Sequence, residues 1–212
     1  MKLLCIGDSI VAGYPFGKDR SFPSVIEELT GINIINKGMP GATSKEIAPK
    51  LQIALDECEP DAVLILCGTN DALYAMSGAR VILSNIKEMQ YKAEEHGIKA
   101  ILVIPALCYP HQAVKIWGAL REVNTDFGMH CGVDPVEHQY ESANDILRDL
   151  HEIMLEYCFE SGSCVIDLQS KYKEYDCFHD GIHPTVEGYR FIGEYMAAEL
   201  ETILDLTLLG SV

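Results

Sequence analysis

Five short, continuously apolar runs punctuate this chain, and longer stretches of helical periodicity separate them. The runs are Leu3–Ile6, Ile32–Asn36, Ala62–Cys67, Ala100–Pro105 and Cys164–Asp167. Strands with one face in water alternate apolar and polar residues; unbroken apolar strands are buried on both faces. Helical stretches precede every run but the first: Ser21–Leu29, Ser44–Cys58, Gly78–His96 and Ser142–Glu160, with a last helix from about Pro184 to Leu204. Alternation of this kind predicts a parallel sheet covered by helices on both sides, a three-layer α/β fold.

The helix signals agree with that pattern. Ser44-Lys45-Glu46-Ile47 resembles a capped start, and His96-Gly97 is a C-terminal stop. Pro184 suits the first turn of the last helix. No repeat, low-complexity tract or linker interrupts the 212 residues, so a single domain over residues 1–212 is expected. The one long loop is Ala106–Val136, with a short helix expected near Gln112–Arg121. Substrate selectivity is expected to reside there, because long loops in compact domains are often binding loops.

Charge and cysteine usage narrow the classes of partner. The chain carries 32 acidic and 16 basic residues, a formal net charge of -16. Such a field repels nucleic acid and anionic membrane surfaces, so neither a nucleic-acid partner nor stable membrane association is expected. No run approaches the roughly 18 to 20 apolar residues of a membrane helix. Met1–Ile6 reaches Gly7-Asp8 too soon to hold the apolar region of a signal peptide. The eight cysteines (Cys5, Cys58, Cys67, Cys108, Cys131, Cys158, Cys164 and Cys177) are scattered with no CxxC pair, and Cys5, Cys67 and Cys164 fall in or beside strand-like runs. Buried free thiols and a cytoplasmic location are expected.

Four polar motifs sit after apolar runs: Gly7-Asp8-Ser9, Gly38-Met39-Pro40-Gly41, Gly68-Thr69-Asn70-Asp71 and Asp180-Gly181-Ile182-His183-Pro184. In a doubly wound sheet, ligands bind beyond the carboxyl ends of the strands. All four motifs fall on that edge, and together they hold the parts of an acyl-transfer site. Ser9 is the candidate nucleophile. A serine hydroxyl needs a neighbouring base, which His183 supplies, and Asp180 holds the imidazole in one tautomer. Charge developing on the attacked carbonyl needs preorganised donors. The Asn70 side-chain amide, the Gly41 main-chain N–H and the Ser9 amide are candidates, with Gly38 as the alternative glycine.

Each motif alone also has a plain structural reading. Ser9 could cap a helix, the two glycines could form a turn, Asn70-Asp71 could cap the segment after them, and Asp180–His183 could be a surface turn. Their joint placement on one edge favours chemistry. The α/β-hydrolase elbow, Gly-x-Ser-x-Gly after several strands, fits poorly: Val11 stands at the last glycine position, and one strand precedes Ser9. Cys177, His179, Asp180 and His183 lie close in sequence but match no zinc spacing, so no metal is expected. His111, His130 and His138 read as surface or substrate-lining residues. Trp117, with Ile116 and Leu120, reads either as an acyl-binding wall or as local loop packing.

These blocks resemble those of the GDSL/SGNH hydrolase superfamily, named for the Ser, Gly, Asn and His of four motifs. Here they read Gly-Asp-Ser-Ile, Asn-Lys-Gly-Met-Pro-Gly-Ala-Thr, Gly-Thr-Asn-Asp and Asp-Gly-Ile-His-Pro, with Ile10 where the family often has Leu. The resemblance spans residues 3 to about 200 and aligns Gly41, ahead of Gly38, with the oxyanion glycine. It implies a flavodoxin-like α/β/α sandwich around a five-stranded parallel sheet. It also implies ester or thioester hydrolysis through an acyl-serine, with no metal or cofactor. Ser9, Asp180 and His183 take the catalytic roles; Ser9, Gly41 and Asn70 form the oxyanion hole; Asp8 and Trp117 are assigned to substrate binding. Acetylated sugars, lysophospholipids, acyl thioesters and simple short-chain esters are the substrate candidates. Acyl transfer to an alcohol, or carbohydrate or lipid binding without catalysis, are the competing functions.

Overall fold

A computed structural model describes residues 1–115, 135–172 and 177–205. Its centre is a parallel sheet of five strands: β1 (Lys2–Gly7), β2 (Asn33–Gly38), β3 (Ala62–Leu66), β4 (Lys99–Ile104) and β5 (Cys164–Asp167). They lie in the order β2-β1-β3-β4-β5. The predicted three-layer α/β architecture is the observed one. The second strand ends two residues later than expected, because the ladder to β1 continues through Ile6↔Lys37 and Gly7↔Gly38 after the apolar side chains stop.

Strand period 2 sorts the central side chains into two cores. Leu4, Ile6, Val63, Ile65, Leu102 and Ile104 point to one face. Helices α3 (Ser44–Cys58) and α5 (Ala79–Glu95) cover it, with the 27-residue helix α7 (Pro135–Ser161). Leu3, Cys5, Leu64, Leu66, Ile101 and Val103 point to the other face. There α2 (Phe22–Thr30) packs beside α9 (Val186–Ile203). Four one-turn helices lie among the described residues: α1 (Ser9–Ala12), α4 (Thr69–Leu73), α6 (Pro110–Ala113) and, after β5, α8 (Leu168–Lys171). Burying a large aliphatic side chain contributes about 1.5 to 3 kcal/mol. Unbroken apolar strands collect that gain on both faces.

Helix boundaries moved for local reasons. Helix α3 is capped by Thr43, one residue before the expected Ser44: the Thr43 N–H donates to Glu46 Oε2 at 2.8 Å. Helix α7 starts seven residues before the expected Ser142. Val136 and Tyr140 enter the core at the same helical spacing as Ala143, Leu147, Leu150 and Met154, so the apolar stripe runs on before the expected start. Helix α9 begins at Val186, because the Thr185 hydroxyl accepts the Gly188 N–H at 3.1 Å and Pro184 stays outside. The helix expected at Gln112–Arg121 is represented by the single turn of α6; residues 116–121 lie outside the described ones.

Candidate active site

Strand order reverses between β1 and β3, since β1 is followed by its neighbour on one side and β3 lies on the other. Ligand crevices open at such switch points. Ser9 follows β1 there. The turn that presents it is made by Asp8, whose carboxylate accepts the Ile10 N–H at 2.9 Å and caps α1. Ser9 becomes the first residue of that helix, and its Oγ lies 2.9 Å from His183 Nε2.

His183 is oriented by its own turn. Asp180 Oδ1 accepts the Ile182 N–H at 3.1 Å and the His183 N–H at 2.8 Å, while Oδ2 lies 2.7 Å from His183 Nδ1. An aspartate that folds back onto the amides after it is an Asx turn. Burial by itself would raise the Asp180 carboxyl; the hydrogen bonds and charge of His183, with the Ile182 amide, outweigh burial and hold it below the usual carboxylate value. Asp180 is therefore ionised and can only accept. The proton on the ring sits at Nδ1, which leaves Nε2 to accept from the Ser9 hydroxyl.

The two candidate glycines differ in kind. The Gly38 N–H donates to Asn36 Oδ1 at 2.9 Å, and a Cβ at Gly38 would stand 2.2 Å from the Ala12 nitrogen. Gly38 is thus a packing glycine, pressed against the end of α1. Gly41 has φ +81°, and nothing lies within 4 Å of where its Cβ would be. A left-handed backbone facing open space is the geometry of an amide that a ligand can approach. Asn70, in α4, is 6% exposed, and its Nδ2 donates one N–H to the Ala42 carbonyl at 3.0 Å. That bond ties the Gly41 loop to α4, and the second N–H of the amide is left for a ligand.

Asp71 adds a second tie that sequence reading missed. Its carboxylate accepts the Ser44 N–H at 2.8 Å and the Ser44 hydroxyl at 2.6 Å, and Asn85 Nδ2 donates to Ser44 Oγ at 2.8 Å. Asp71 does cap a helix, but that helix is α3, 27 residues back along the chain.

Other expectations resolve differently. Asp8 was assigned to substrate binding, yet its side chain points inward, is 1% exposed and is occupied by the Ile10 amide. Burial, with the nearby Asp71 charge, pushes its carboxyl up to about 6 against the opposing Ile10 amide and His183. It shapes the serine turn and offers no surface to a substrate. Trp117, Ile116, Leu120 and His130 lie outside the described residues. His111 is exposed with Nδ1 3.7 Å from Glu137, and His138 is also exposed. Among the described residues, no three His, Cys, Asp or Glu side chains converge as metal ligands, and no helix is long and apolar enough to cross a membrane. Cys5, Cys58, Cys67, Cys108, Cys158, Cys164 and Cys177 are free thiols. Sequence reading also missed Tyr14, whose ring meets the His183 imidazole edge-on at 4.7 Å. Its only signal was an aromatic residue just past the serine turn, set off by Gly13.

A serine bonded to an imidazole, the imidazole bonded to a buried carboxylate, and amide donors on the adjacent loop form the layout a serine hydrolase requires. The GDSL-like lipase/acylhydrolase family matches residues 5–191, and the chain belongs to it. It is accordingly a hydrolase of carboxylic ester bonds. An arylesterase of Vibrio mimicus is 26% identical over 204 residues, covering 94% of this chain and 88% of that protein. A member of the lipolytic protein G-D-S-L family from Veillonella parvula superposes with TM-score 0.71 at 20% identity, covering 95% of this chain and 98% of the other. The native aryl esterase of M. smegmatis superposes with TM-score 0.75 at 17% identity, covering 95% and 98%. At these identities the two structures speak for the fold.

Proposed function

We propose that the chain hydrolyses small or medium acyl esters through an acyl-serine intermediate on Ser9. The observation that carries this reading is the Ser9 Oγ to His183 Nε2 to Asp180 chain, at 2.9 and 2.7 Å. Nε2 takes the Ser9 proton as Oγ attacks the ester carbonyl. The carbonyl oxygen, now an anion, is met by the Gly41 N–H, the free N–H of Asn70 and the Ser9 N–H. Imidazolium, stabilised by Asp180, then hands the proton to the departing alkoxide. Water repeats the cycle on the acyl-enzyme, with His183 again as base, and releases the acid and free Ser9.

The arylesterase named among its relatives supports a small ester as substrate. The charge of -16 disfavours substrates held in anionic bilayers, and the free thiols suit a reducing, cytoplasmic setting. Treatment with a fluorophosphonate should add the phosphonyl mass at Ser9. Ser9→Ala should abolish cleavage of p-nitrophenyl acetate while leaving the folded circular-dichroism spectrum in place. Cleavage retained by Ser9→Ala would sink the reading.

A further inference from the structure

The segment after α1, Gly13-Tyr14-Pro15-Phe16, exposes two aromatic rings on a fixed backbone. Tyr14 is 48% and Phe16 37% exposed. The Tyr14 N–H donates to the Ser9 carbonyl at 3.0 Å, the Phe16 N–H to the Gly13 carbonyl at 2.8 Å, and the Tyr189 hydroxyl to the Tyr14 carbonyl at 2.7 Å. Core packing does not explain rings that are held in place yet left half open. Both rings face the turn that carries the imidazole: Tyr14 meets His183 at 4.7 Å and 62°, and Phe16 meets His179 at 6.1 Å and 69°.

The chemistry says which half of an ester comes there. His183 must hand its proton to the departing oxygen, so that oxygen comes within about 3 Å of Nε2. The first atoms of the alcohol then lie against the imidazole, beside the ring that packs on it. The acyl half is placed separately, by the bond to Ser9 and by the oxyanion donors. We infer that Tyr14 is the wall of the leaving-group site and selects aromatic over aliphatic alcohols; this rests on the acyl-serine reading above. An aryl group on a half-open tyrosine gains edge-to-face contact that an alkyl chain of similar size lacks, worth about tenfold in selectivity.

Benzyl acetate and butyl acetate test this directly. They deliver the same acetyl group and release alcohols of similar acidity, so the ratio of their kcat/KM values reports the alcohol site alone. Tyr14→Ala should lower the benzyl-to-butyl ratio about tenfold, and Tyr14→Phe should keep it. Hydrolysis of the common acetyl-enzyme, which has lost its alcohol, should suffer far less than benzyl acetate kcat/KM. An equal fall for both esters and for deacylation would mean that Tyr14 only steadies the imidazole, and would overturn the assignment; so would an undiminished ratio. Should Tyr14→Ala fail to fold, Tyr14→Leu keeps the bulk without the aromatic face and is read the same way. Failure of the acyl-serine reading looks different: no fluorophosphonate adduct at Ser9 and no turnover of either ester by the unaltered chain, a result with which the wall falls too.

Discussion

Two buried aspartates lie close to one imidazole, and their surroundings push them in opposite directions. Asp180 is met by two amides and the His183 ring, which overcome burial and lower its carboxyl. Asp8 is buried with one amide from Ile10 and the Asp71 charge nearby, and rises from 3.8 to about 6. The folded protein therefore binds the Asp8 proton more tightly than the unfolded chain does. That contribution to stability is full below about pH 4 and is lost as pH rises through about 6, roughly 3 kcal/mol in all. Asp8→Asn cannot titrate, and its side-chain oxygen still accepts from Ile10. Relative to this variant, the parent protein should lose about 2 kcal/mol between pH 4 and pH 7, read from urea midpoints at the two values. Parallel pH profiles would refute it. Asp180 has the opposite sign: its contribution is present above the ordinary carboxylate range and is lost as pH falls through its lowered value.

At the scale of elements, the loop between β2 and α3 does the positioning. Asn70 holds the Ala42 carbonyl and Asp71 holds Ser44, so α4 grips that loop and the start of α3. The two glycines of the loop should then separate in experiment. Gly38→Ala forces a Cβ against the α1 backbone and should lower the melting temperature by about 10 °C or prevent folding. Gly41→Ala meets no atom; its left-handed φ costs only about 1 kcal/mol, while any shift of its amide lowers turnover by about tenfold or more. Thermal melts and p-nitrophenyl acetate kinetics on the two variants check the contrast, and a reversed pattern would return Gly38 to the oxyanion role. The motifs were legible in sequence because each carries a polar group at a strand end. The choice between the glycines was not, because it depends on Ala12 and Asn36, which no spacing rule brings to either one.

For the whole molecule, the dominant feature beyond its two cores is charge. A net charge of -16 on 212 residues makes the compact state repel itself, and acidic side chains such as Asp145, Asp56 and Glu28 stand exposed. Raising ionic strength from about 0.01 M to about 0.15 M shortens the screening length from about 30 to about 8 Å. The melting temperature should rise by a few degrees over that range; calorimetry showing a flat or falling value would count against net self-repulsion.

The sequence by itself determined the layers of this protein and the chemistry at its edge. Unbroken apolar strands must be covered on both faces, and helices are what the intervening periodicity supplies. Four motifs at strand ends then share one rim whichever way the sheet is wound. What only the tertiary structure decided are contacts between residues remote in the chain: Tyr14 on His183, Asp71 on Ser44, Gly38 against Ala12. It also decided that Asp8 turns inward. Side-chain direction at a turn and packing across 27 or 169 positions follow from how layers dock, and local sequence carries no record of that docking.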